Sequence, residues 1–170
     1  LPGYFEKLRA NPPAVNVVTL AGHATIREQV MGADYKRRAR PAENARMRAL
    51  MDEAMAAGAL GLSSGLEYEV GSYSDIEEVV ELARAAGAKG GYYISHIRDE
   101  ADLAMTAMKE LVEIGERAHV AVQNTHIKVG TVGVWGKAPE VLKMFEAARA
   151  RAACAASRRR QRRRLDVVIA

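Results

Sequence analysis

Cysteine is almost missing from this chain. One residue, Cys154, in 170 positions excludes an internal disulfide framework. No apolar run reaches the length of about 18 residues that a membrane-spanning helix needs, so no membrane partner is expected. No signal-peptide pattern is visible, although the chain opens with Leu1 rather than Met. No Gly-x-Gly-x-x-Gly follows a candidate strand and no phosphate-loop motif occurs, so nothing supports a nucleotide-binding sheet. A reducing, cytoplasmic setting is the default expectation.

What is present is enough apolar sequence for one core, at 49% hydrophobic residues. The formal net charge is +4, but it is unevenly placed. Residues 1–150 carry 18 Lys and Arg against 20 Asp and Glu, whereas residues 151–170 carry 7 Arg against one Asp. The basic character belongs to the tail, and the body is not expected to bind nucleic acid.

The body alternates between two periods. Asn16–Leu20 reads as a short buried strand. Pro41 suits the first turn of a helix whose inner face is Met47, Leu50, Met51 and Ala54, with Gly58 as its stop. Ala59–Ser64 is the next strand. Ser74 and Glu77 have capping-box spacing before a helix with Ile76, Val79, Val80 and Ala83 inward and Gly87 at its end. Gly91–Ser95 and Val120–Thr125 are the third and fourth strands. Between them Asp99 can cap a helix with Leu103, Ala107, Leu111 and Ile114 inward. Val141, Leu142, Phe145 and Ala148 mark a last helix.

Four consecutive strand-helix units predict a parallel α/β architecture. The strands carry little charge, as befits strands covered on both faces. Four units are half of a (β/α)8 TIM barrel, with an open doubly wound sheet as the competing arrangement. Residues 151–170 depart from this grammar and form an Arg-rich tail. Its readings are a basic interaction arm or translation in a shifted frame of GC-rich DNA. The break in mid-unit favours the shifted frame.

One pattern occurs twice. Ser95-His96-Ile97-Arg98 ends one apolar run and Thr125-His126-Ile127-Lys128 ends the next, with the histidines 30 residues apart. That separation is about one strand-helix-strand unit. On adjacent parallel strands both imidazoles reach the C-terminal rim, where barrel enzymes keep their active sites. Neutral imidazole is the commonest protein ligand for zinc, so His96 and His126 are the candidate metal pair. Arg98 and Lys128 each follow their histidine by two positions, a spacing that returns to the same side. Cations there suit an anionic substrate such as a carboxylate. Solvated loop cations, or a partner for Asp99, are the alternative. Ser63–Tyr68 follows the second strand on the same rim. There Ser64 and Tyr68 could border a pocket, or the segment is simply a glycine-containing loop. His23 is a further rim candidate and His119 lies on the opposite rim.

Several runs together resemble the N-acyl-D-amino-acid deacylase (D-aminoacylase) family of the metal-dependent amidohydrolases. They are Gly22-His23-Ala24-Thr25-Ile26-Arg27, Gly58–Leu66, Ser95–Glu100, Thr125–Lys128 and Trp135-Gly136-Lys137. The resemblance covers residues 4–150 and implies a (β/α)8 barrel of which this chain supplies central units. It implies that His96 and His126 are zinc ligands, that Lys128 holds the substrate α-carboxylate, and that Tyr68 and its neighbours border the acyl-amino-acid pocket. The implied reaction is hydrolysis of the amide of a small N-acyl-D-amino acid, with zinc as cofactor. The family's His-x-His strand, its cysteine ligand and its general acid-base aspartate have no counterpart here. Cys154 and Asp166 stand outside those motifs. The chain alone is therefore expected to be inactive. A non-catalytic half-barrel that binds or dimerises, or a dihydroorotase-like or hydantoinase-like enzyme, are the competing readings. The Gly-Leu-Ser-Ser-Gly-Leu run speaks for the deacylases.

Overall fold

The computed structural model describes residues 1–158 and 168–169. Five parallel strands pair in the order in which the chain makes them. They are β1 (Ala21–Gly22), β2 (Gly61–Gly65), β3 (Tyr92–His96), β4 (Ala121–Asn124) and β5 (Val168–Ile169). The helices are α1 (Pro2–Ala10), α2 (His23–Met31), α3 (Pro41–Ala57), α4 (Glu69–Ser72), α5 (Ile76–Ala88), α6 (Ala104–Ala118) and α7 (Ala138–Arg158). A doubly wound sheet reverses its strand order at a switch point, and this one does not. Because parallel crossovers are right-handed, an unreversed order puts the crossover helices on one face, as in a barrel wall. The expected partial (β/α)8 barrel is what is found.

Burial along the strands agrees. The row Leu62, Tyr93 and Val122 is in register and buried against the helices. The next row, Ser63, Ile94 and Gln123, turns the other way and is only half-buried. The helix side is filled by Val79, Leu82 and Ala83 of α5, Met108, Leu111 and Ile114 of α6, and Phe145 of α7. Met47 and Met51 of α3 are buried too, so the methionine-rich helix is packing. Among the described residues no helix is long and apolar enough to cross a membrane.

Local signals explain most boundaries. Pro41 opens α3, Glu43 Oε2 accepts from the Arg40 amide at 2.7 Å, and Gly58 ends the helix at φ 111°. The structure corrects four details of the sequence reading. The first strand is Ala21–Gly22 rather than Asn16–Leu20, because that segment meets β2 only where Thr19 O accepts from Leu60 N at 2.8 Å. Asp75, not Ser74, caps α5. The Ser74 hydroxyl is taken by Gly71 O at 2.6 Å, and Asp75 Oδ1 receives Glu78 N at 3.0 Å. Asp99 Oδ1 accepts from Ala101 N and Leu103 N, so it closes a turn ahead of α6 and leaves Leu103 exposed. Leu142 is exposed, whereas Val141, Phe145 and Ala148 are buried. Helix α7 runs beyond Arg149 to Arg158, as its alanine content allows, and Val168–Ile169 pairs with β4. The rest of the arginine run, with Asp166, lies outside the described residues.

Candidate metal centre

The β3–β4 register pairs Ser95 with Asn124, so His126 is one place out of phase with His96 and meets it only beyond the end of β4 at Asn124. Ile97 is buried and Ile127 packs on the core, while the histidine before each faces the rim. Two backbone bonds carry the ladder to that rim: Leu66 N to His96 O at 3.0 Å and Thr125 N to Ser95 O at 2.9 Å. The imidazoles are thereby set side by side, with ring centroids 4.7 Å apart and planes at 82°. His96 Nδ1 faces His126 Nε2 at 3.0 Å.

A third donor comes from the loop after β3. Glu100 is buried, and its Oε1 lies 2.6 Å from His126 Nδ1 and 3.7 Å from His96 Nδ1. His96, Glu100 and His126 offer ligand atoms that all lie within 4.8 Å of one another. The other carboxylate oxygen, Oε2, holds Lys128 Nζ at 2.8 Å. That bond raises the Lys128 pKa above the usual lysine value, against the smaller opposing effect of burial.

These residues fit a metal. Glu100 Oε1 and His126 Nδ1 are buried and close, yet out of line for a hydrogen bond, so neither has a hydrogen-bond partner. If His126 Nε2–H donates to His96, then His126 Nδ1 is a bare lone pair facing a carboxylate. Two acceptors that close call for a shared proton or for a cation bound beside both of them. Two imidazole nitrogens and one carboxylate oxygen are a donor set that zinc accepts.

Tyr68 stands over the pair, 61% exposed. Its ring centroid is 4.6 Å from that of His96, and its hydroxyl is 3.3 Å from His96 Nδ1. Glu67 Oε2 takes the opposite ring nitrogen, His96 Nε2, at 2.7 Å.

So the structure gathers His96, His126, Lys128 and Tyr68 at one rim, and it leaves Ser64 and Arg98 out. Ser64 is in register with Ser95, while Gly65 is in register with His96, so Ser64 leaves the opposite face of the sheet. Its Oγ is bonded to Tyr93 Oη at 2.6 Å and Ser95 Oγ at 2.9 Å. Burial pushes the Tyr93 hydroxyl up to about 12. Arg98 departs from the spacing argument because α6 offers it a carboxylate. Its Nη2 and Nε bond Glu110 at 2.8 and 2.9 Å, and Asp99 is not its partner. His23 is also absent from the rim. It is fully buried, with Nε2 on Glu78 Oε1 at 2.7 Å, and Arg27 bonds the same carboxylate. His119 is exposed at the opposite end, in the left-handed conformation that ends α6.

Glu67 and Glu100 were not singled out in the sequence. Glu100 closes the matched run Ser95–Glu100, four residues after the strand-end His96, and Glu67 stands one place beyond the run Gly58–Leu66, so only Glu100 offered a signal.

No protein-family profile matches the chain. Individual proteins do. A D-aminoacylase from Alcaligenes xylosoxydans xylosoxydans is 41% identical over 148 residues, which is 87% of this chain and 30% of that protein. An N-acyl-D-glutamate deacylase from the same organism is 36% identical over 147 residues, again 30% of its length. A crystal structure of D-aminoacylase, described as defining a novel subset of amidohydrolases, superposes with a TM-score of 0.83 at 40% identity. That match covers 88% of this chain and 31% of the other. An N-acyl-D-glutamate deacylase from Bordetella bronchiseptica, complexed with zinc and a phosphonate mimic of the tetrahedral intermediate, gives 0.88 at 32% identity. It covers 99% of this chain and 33% of the other. The chain thus spans about 30% of the length of the relatives it matches.

Proposed function

We propose, from the resemblance of this chain to the D-aminoacylase family of amidohydrolases, that these residues are the zinc-holding rim of an N-acyl-D-amino-acid deacylase. The observation that carries the reading is the facing pair His96 and His126, 3.0 Å apart, with the unpartnered Glu100 oxygen beside them. In this reading the pair and Glu100 hold zinc. A zinc ion, when bound, supplies a Lewis acid and an activated water for amide hydrolysis.

The chain's own groups do the rest of the positioning. Lys128, kept cationic by Glu100, takes the α-carboxylate of the substrate. Tyr68 covers the histidines and forms one wall of the pocket. Arg98 is held by Glu110 and Ser64 by Ser95, so this reading assigns neither a contact with the substrate. No described residue here stands in the place of the family's general acid-base, so these residues alone do not turn over an N-acyl-D-amino acid. A reducing cytoplasm suits a chain with one cysteine.

Calorimetric titration of the purified chain with zinc tests the reading. We expect one ion to bind, with the uptake lost in H96A and in H126A. Equal uptake by the parent and both variants, or none by the parent, would overturn it.

A further inference from the structure

Glu67 reaches His96 from the side away from His126. Its Oε2 lies 2.7 Å from His96 Nε2 and satisfies hydrogen-bond geometry. An ionised carboxylate can only accept, so Nε2 is the donor and carries the proton. In the neutral ring the bare nitrogen is then Nδ1. That is the atom turned toward His126 Nε2 at 3.0 Å, the Tyr68 hydroxyl at 3.3 Å and Glu100 Oε1 at 3.7 Å. Without Glu67 nothing else bonds Nε2 among the described residues, and both tautomers become open to the ring.

We propose that Glu67 is a positioning residue: by accepting the hydrogen bond of His96 Nε2–H it fixes the tautomer that presents the Nδ1 lone pair to the metal position. The placement follows from the loop. β2 ends at Gly65, Leu66 is buried as an anchor, and Glu67 is the next residue out, directly before Tyr68. The Leu66 amide is bonded to His96 O, so the loop is tied to the same residue its acid serves. Carboxylate–histidine pairs of this kind orient metal ligands and raise their basicity. The inference rests on reading His96 as a ligand, but its first readout requires no metal.

The tautomer of His96 is measured by imidazole nitrogen NMR on the metal-free chain at about pH 8.5, above the usual histidine range. We expect the Nε2–H form in the parent and in E67Q, which keeps an acceptor oxygen. We expect a mixture with Nδ1–H in E67A. In parallel, zinc affinity is read by competition with a chromophoric chelator. E67A should fall by about 10–100-fold, and E67Q should stay closer to the parent. An unchanged His96 tautomer in E67A overturns the proposal, whatever happens to affinity. Should the parent take up no zinc, the ligand reading fails, while the tautomer comparison still decides the part played by Glu67.

Discussion

Single residues decide what this rim can do, and Glu100 decides most. One oxygen faces His126 and the other holds Lys128. On the proposed reading, the variant K128M, which loses the charge, should weaken binding of an N-acyl-D-amino acid through its α-carboxylate while leaving zinc uptake in place. Ligand-observed NMR beside a zinc titration separates the two effects. The histidines were legible in the sequence because a strand end repeated at barrel spacing has a geometric meaning. Glu67 and Glu100 were not, because a loop acid follows no period and its reach depends on how the loop folds back. Arg98 misled for the opposite reason: its two-residue spacing is that of His96 to the same side, but Glu110 on α6 outcompetes the rim for it.

At the scale of elements, close packing and buried charge set the stability. A Cβ on Gly115 of α6 would stand 2.7 Å from Val122 Cγ1 of β4. Alanine there gains up to about 1 kcal/mol of helix propensity but overpacks the helix-sheet contact at about 1–3 kcal/mol. G115A should therefore lower the unfolding free energy in urea. Between α2 and α5, burial pushes the Glu78 carboxyl up, yet His23 and Arg27 together hold it below its ordinary value. E78Q leaves Arg27 buried without its counter-charge and should cost about 3–5 kcal/mol in the same assay.

Glu43 at the head of α3 gives the pH dependence. The Arg37 guanidinium, and then the Arg40 amide, bring its pKa down from 4.5 to about 2. A depressed folded pKa means stability that is present above about pH 4.5 and is lost as the pH falls toward 2. The melting temperature of the parent should drop through that window more steeply than that of E43Q, the two curves converging at the acid end. Helix α3 was readable from Pro41 and Gly58, which act locally. The cap of α5 was not, since Ser74 and Asp75 are both competent and only tertiary placement of Ser74 against Gly71 decides between them.

For the molecule as a whole, among the described residues the sheet has two open edges and an inner face of half-buried residues such as Ile94 and Gln123. Unpaired edges of this kind invite pairing between chains. We expect size-exclusion chromatography of the purified chain to show association or loss to aggregate. A monomer with one cooperative thermal transition would contradict that. The fold class was legible because four strand-helix units in a row leave few topologies. The choice between barrel and doubly wound sheet could not be read from the local periods, which are the same in both; the family resemblance pointed to the barrel.

The unreversed strand order also bears on how the chain comes to be folded. Each new strand docks beside the one made just before it, so every closing loop is one unit long and its entropic cost stays nearly constant. Growth along these five strands is then a zipper that can advance as the polypeptide leaves the ribosome, with no pairing among them that waits for a distant segment. The same property means that the growing end is always sticky. Until a last strand meets the first, speed of synthesis and concentration, rather than final stability, govern how much of the chain escapes into the wrong partner.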